Sequence, residues 1–242
     1  MSDKKYAVLI DADNVSDKYI KAILDEISNE GTITYKRIYG DWTRPGLSSW
    51  KNILLNHSIT PIQQYGYTTG KSSTDSAMII DAMDILYSGS VDGFCIVSSD
   101  SDFTRLAVRL RESGMNVIGM GEKKTPKAFI AACNIFKHLE IIGDSDKGEI
   151  KENESGSSDD LSIENIKRAV AEIVSDVSDE SGCAALSDVG NILIKRFPSF
   201  DVRHFGYKKL TPFIKSFGRY DIISVPSELN PSVKVVLIKE KS

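Results

Sequence analysis

The sequence predicts an α/β protein: a three-layer domain around a mostly parallel sheet, followed by a small winged helix-turn-helix-like unit. Three observations predict it. Apolar β-type runs alternate with helical patterns through residues 1–143, and such alternation builds parallel sheets covered by helices on both faces. Residues 144–160 hold seven acids against two lysines, with almost nothing large and apolar. Beyond that segment the pattern changes to three helices and a two-strand wing.

The first strand is the run Tyr6-Ala7-Val8-Leu9-Ile10. Further β-branched or aromatic runs at 33–40, 60–65, 93–98, 115–120 and 138–142 predict five more strands. Helical spacing falls between them, at 17–29, 47–56, 75–88, 103–113 and 126–133. Gly31, Gly89, Gly93 and Gly114 punctuate the joins. Residues 144–160, with Gly148, Gly156 and the serine cluster Ser155, Ser157 and Ser158, cannot bury enough surface to offset their ordering entropy. They read as an acidic flexible linker between a domain at 1–143 and another at 161–242. In the second domain, helical patterns occupy 161–177, 186–197 and 207–217. Two strands at 220–225 and 233–238, separated by a loop running from Pro226 to Pro231, read as a β-wing.

Composition narrows the function classes. The 242 residues carry a net charge of −4, which argues against a uniformly basic nucleic-acid binder. No apolar run approaches the roughly 20 residues that span a bilayer. The stretch Met1-Ser2-Asp3-Lys4-Lys5 leads into an apolar run too short for a signal-peptide core of about 7–15 residues. A cytoplasmic protein without a membrane partner is expected. Cys95, Cys133 and Cys183 are odd in number and form no CxxC pair, so neither a zinc site nor a disulfide framework is expected. Cys95 reads as a buried thiol.

The chemistry lies in three acidic clusters: Asp11-Ala12-Asp13-Asn14, Asp75, and Asp100-Ser101-Asp102. The first and third each end an apolar run, placing carboxylates at the carboxyl edge of a sheet, where α/β ligand sites lie. Clustered carboxylates repel unless a cation sits between them. An all-oxygen donor set suits Mg²⁺ or Mn²⁺. On the helix at 75–88, a 100° step puts Asp75 on one face with Ile79, Ala82 and Leu86, the expected buried stripe. Asp81 is next nearest that stripe, and Asp84 faces away. The clusters point to metal-dependent phosphodiester chemistry. Ser98, Ser99 and Ser101 are placed to hydrogen-bond the carboxylates. Lys71, and less directly Lys36 and Arg44, are candidate phosphate contacts.

The stretch from Val8 through Ile10 to Asp11-Ala12-Asp13-Asn14 resembles the opening motif of NYN domains, the LabA-like branch of the PIN nuclease fold. Lys71-Ser72-Ser73-Thr74-Asp75 with Asp81 resembles their second motif, and Val97-Ser98-Ser99-Asp100-Ser101-Asp102-Phe103 their third. The resemblance covers about residues 5–142. It implies a PIN-like sheet and Mg²⁺- or Mn²⁺-dependent ribonuclease activity. Asp11, Asp75, Asp100 and Asp102 would be the catalytic, metal-holding acids, supported by Asp13, Asn14 and Asp81, with Ser99 behind them. Many members have Gly where this chain has Ser99, which costs the turn some backbone freedom but removes no ligand. A haloacid dehalogenase-type phosphatase also begins with strand-DxD, but position 15 here is Val rather than that fold's Thr.

Residues 161–239 resemble the OST-HTH, or LOTUS, domain. The pattern is carried by the stretch from Leu186 to Leu193, by that from Phe200 to Leu210, above all Phe205-Gly206-Tyr207-Lys208-Lys209-Leu210, and by the β-wing. That family implies RNA binding or, in some members, protein binding. Residues 195–219 hold seven Lys/Arg and one acid, interleaved with aromatics. Arg203, Lys208 and Lys209 are the candidate RNA contacts. The expected function is a metal-dependent ribonuclease with a C-terminal RNA-binding module, its partner RNA or also a protein. The runner-up is a non-catalytic RNA-binding or protein adaptor with a vestigial acidic site. Nothing in the sequence sets the oligomeric state.

Overall fold

The computed structural model describes residues 3–65, 73–144, 161–227 and 234–241. Contacts divide the chain into two units, Met1–Gly148 and Glu149–Ser242. Lys71, most of the expected linker and much of the wing loop lie outside the described residues.

The first unit contains β1 (Lys5–Asp11), β2 (Thr32–Gly40), β3 (Thr60–Gln63), β4 (Gly93–Val97), β5 (Asn116–Gly121) and β6 (Ile135–His138). All five neighbouring pairs are parallel, in the order β3-β2-β1-β4-β5-β6. The chain builds outward from β1 on one side, then returns to β4 on the other. The reversal lies between β1 and β4, where doubly wound sheets open a crevice at their carboxyl ends.

Alternation along the central strands feeds two cores. Tyr6, Val8, Ile10, Cys95 and Val97 face one side, against α1 (Ile20–Ser28), α2 (Trp50–His57) and α6 (Leu139–Asp144). Ala7, Leu9, Phe94 and Ile96 face the other, against α3 (Ser73–Ser88), α4 (Thr104–Glu112) and α5 (Lys127–Ala132). Burial on both faces explains why β1 and β4 read as continuous apolar runs. Cys95 is a buried free thiol, as expected, and Cys133 is another. Among the described residues, no helix is long and apolar enough to cross a membrane.

Two expectations need correction. Residues 138–142 do not form the sixth strand: β6 ends at His138 and α6 begins at Leu139. A short apolar run suits either element, and here pairing to β5 is used by the four residues before it. The buried stripe of α3 is Thr74, Met78, Ala82 and Ile85, so Asp75 is not on it. Three of its four positions lie one residue earlier than expected and Ala82 is common to both, a phase shift of roughly 75°.

The second unit holds α7 (Ile163–Val177), β7 (Cys183–Ala185), α8 (Leu186–Arg196), α9 (Leu210–Ser216), β8 (Tyr220–Pro226) and β9 (Lys234–Glu240). Ser162 caps α7, its hydroxyl accepting from the Asn165 amide. Ile166, Val170, Ile173, Val189, Leu193 and Phe213 form its core. The sheet order is β7-β9-β8, antiparallel, so the wing gains a third strand not expected from sequence.

Candidate functional site

Pairing brings the first and third acidic clusters together. Ile10 of β1 pairs with Val97 of β4, so the next residues, Asp11 and Ser98, emerge side by side. Each continues the alternation that faces α3, because Leu9 and Ile96 belong to that core. Ser98 Oγ donates to Asp11 Oδ2 at 2.7 Å and accepts from the Asp100 amide at 3.1 Å.

Asp11 is 1% exposed. Asn14 Nδ2 donates to its Oδ2 at 2.7 Å, and the Asp13 amide to its Oδ1 at 3.0 Å. Burial pushes the Asp11 carboxyl above the usual carboxylate range. The Ser98, Asn14 and Asp13 hydrogen bonds act against that rise, while the Asp13 charge adds to it.

The second cluster arrives on α3. A helix following a parallel strand starts at the sheet's carboxyl edge, and Asp75 lies in the first turn of α3. The helix dipole favours a carboxylate there. Thr74 Oγ1 donates to Asp13 Oδ2 at 3.3 Å, tying that turn to the end of β1. Asp100 caps the 3₁₀ turn Ser101–Phe103, accepting from the Asp102 amide at 2.9 Å.

Asp75, Asp100 and Asp102 converge: one oxygen from each lies within 4.8 Å of the other two. Asp11 is outside that group and joins it through Ser98 to Asp100. Three carboxylates this close repel unless a cation or protons intervene. Hard oxygen donors at this spacing could hold a divalent cation.

The remaining expected residues are placed as follows. Asn14 sits on Asp11, and Asp13 on the rim beside Thr74. Asp81 is about 9 Å along the helix from Asp75 and is engaged with the Arg37 guanidinium and the Tyr39 hydroxyl. Ser99 Oγ accepts from the Glu122 amide at 2.9 Å rather than touching a carboxylate. Lys36 donates to the His57 carbonyl at 2.8 Å. In the second unit, Lys208 and Lys209 are exposed. Arg203 Nε and Nη2 grip the Asp201 carboxylate at 2.6–3.0 Å. Thr74 is the residue the sequence reading passed over. Its signal was its position beside Asp75 in the first turn of α3, where a hydroxyl can reach a neighbouring loop.

The NYN domain family model matches residues 5–140, and the OST-HTH/LOTUS domain model matches residues 162–230. No curated protein matches the chain. A crystal structure of a protein of unknown function from Vibrio parahaemolyticus RIMD 2210633 is similar at 20% identity. The match covers 55% of this chain and 91% of that one, with a TM-score of 0.47.

Proposed function

Since the chain belongs to the NYN domain family of PIN-like nucleases and carries an OST-HTH/LOTUS domain behind it, we propose that it is a metal-dependent ribonuclease. The observation that carries this reading is the convergence of Asp75, Asp100 and Asp102. A Mg²⁺ or Mn²⁺ ion held by these three carboxylates would offset phosphate charge and acidify a water. The protein's own part is to hold the carboxylates in place before substrate arrives, so that little reorganisation is needed. Ser98 fixes Asp100 through its amide, and the 3₁₀ turn directs Asp102. Asp11, itself held by Asn14, anchors Ser98, and Asp13 secures the start of α3 through Thr74. The expected reaction is hydrolysis, with water and not the ribose 2′-hydroxyl attacking phosphorus.

The OST-HTH/LOTUS domain supports RNA as the ligand, with Lys208 and Lys209 as contacts. Arg203 has a mainly structural role through Asp201. Tethering two RNA-directed domains raises the local substrate concentration. The test incubates the full chain with end-labelled RNA, with and without chelator, and analyses the product ends. Metal-dependent products without 2′,3′-cyclic phosphate support the reading. Chelator-resistant cleavage, or no cleavage, would overturn it.

A further inference from the structure

Beside the acid cluster lies an open groove of about 360 Å³, between the end of β1 and the turn that precedes α2. Small-ligand sites run from about 300 to 1,000 Å³, so the groove has room for one nucleotide unit. Leu47 and Trp50 give it an apolar floor, and Asp13, Ser16, Asp17 and Arg44 line it with polar groups. One residue links it to the metal-binding candidate: the Asp13 carboxylate, which lines the groove, also accepts from Thr74, next to Asp75.

Arg44 is 57% exposed and held loosely. Its nitrogens lie 3.6 Å from Asp13 Oδ1 and 3.7 Å from Asp41 Oδ2, beyond the ~2.7–3.2 Å of a hydrogen bond. Guanidinium carries five N–H donors in a planar fork suited to phosphate. Asp13 and Asp17 would repel a free phosphate, so an anion alone is a poor fit. A ribonucleotide within a chain offers both halves of a match: a phosphate for Arg44 and a 2′-hydroxyl donor for a carboxylate. The 2′-hydroxyl is the group by which a protein distinguishes RNA from DNA.

We propose that this groove holds the ribonucleotide flanking the scissile phosphate, with Arg44 on its phosphate and the Asp13–Asp17 wall accepting from its 2′-hydroxyl. The proposal rests on the ribonuclease reading, and it assigns the groove the choice of RNA over DNA. Since water is the nucleophile in that reading, the 2′-hydroxyl is needed for recognition and not for chemistry.

The test measures steady-state cleavage by the full chain in Mn²⁺, on an RNA and on the same oligonucleotide with one 2′-deoxy residue beside the cut. Arg44→Ala should raise KM for RNA about tenfold, the loss of one charge-assisted hydrogen bond, with kcat within about twofold. Arg44→Lys should fall between the two. Asp17→Ala, checked for an unchanged melting temperature, should reduce discrimination against the 2′-deoxy substrate by about fivefold. A wild type that cleaves, with KM and discrimination unchanged in all three variants, would overturn the groove alone. A wild type that cleaves nothing would overturn the ribonuclease reading and the groove with it.

Discussion

Ser98 and Asp11 share a 2.7 Å hydrogen bond across the point where the strand order reverses. The same hydroxyl accepts from the Asp100 amide at 3.1 Å. One buried side chain therefore couples the acid ending β1 to the loop that supplies two members of the carboxylate group.

Ser98→Ala removes a donor from a buried carboxylate and an acceptor from an amide. Asp11 keeps its bonds from Asn14 and the Asp13 amide, so the loss falls chiefly on the Asp100 amide and should cost about 1–3 kcal/mol. The urea midpoint should fall accordingly, and half-maximal cleavage should need more Mn²⁺. An unchanged midpoint with an unchanged Mn²⁺ requirement would show that the hydroxyl does not organise the site.

Gly121, at the end of β5, abuts the same residue. A Cβ there would lie 2.5 Å from Thr125 Oγ1 and 2.6 Å from the Ser98 carbonyl oxygen. Gly121→Ala must therefore move Ser98 or the Thr125 loop, an overpacking cost of about 1–3 kcal/mol. Thermal unfolding should shift down and cleavage should fall, while a control Gly46→Ala, where a Cβ meets nothing within 4 Å, should leave stability nearly unchanged.

Asp81 is a structural acid, apart from the proposed metal-holding group, since it is engaged by Arg37 and Tyr39. Asp81→Ala leaves Arg37 and the Tyr39 hydroxyl without their carboxylate and should destabilise the fold by about 1–3 kcal/mol. At a temperature where the variant is folded, its Mn²⁺ requirement for cleavage should match wild type, whereas Asp75→Ala should abolish cleavage. Loss of the Mn²⁺ response in Asp81→Ala would add it to the proposed metal-holding set.

Asp201 and Arg203 set a pH dependence in the second unit. Burial alone would push the Asp201 carboxyl up, but the Arg203 hydrogen bonds and charge outweigh it and hold it below its ordinary value of 3.8. A carboxyl depressed in the folded state contributes stability present above the unfolded value and lost as pH falls through the folded one. The stability difference between wild type and Arg203→Ala should thus be full above pH 3.8 and shrink below it. Calorimetric scans of the second unit's transition across that range check the sign.

The strand–helix alternation was legible because β1 and β4 are buried on both faces, and acids ending two such runs announced a shared edge. The sixth strand was misplaced because Ile135–His138 carries Lys137, which breaks the apolar pattern, while the apolar residues after it form α6. Lys137 is satisfied by Glu26 and Glu30 at 2.6 and 2.9 Å, a pairing that only tertiary structure reveals. β7, the sequence Cys183-Ala184-Ala185, has no strand pattern of its own and exists through pairing with β9. Helical phase ranked Asp75 above Asp81, in keeping with the structure, yet for a different reason. Asp75 belongs to the carboxylate group through its place in the first turn of α3, and not by lying on a buried stripe. The sequence makes Arg203 a candidate RNA contact, but its guanidinium is engaged by Asp201, two residues away.

The central claim is that Asp75, Asp100 and Asp102 hold the ion that cleaves RNA. The most direct test titrates Mn²⁺ into wild type, Asp75→Asn and Asp100→Asn while following cleavage of one end-labelled RNA. Wild-type cleavage that rises with Mn²⁺ and stops with chelator, and that either substitution reduces by at least about a hundredfold, is the predicted result. Equal Mn²⁺-dependent cleavage by all three proteins would contradict it.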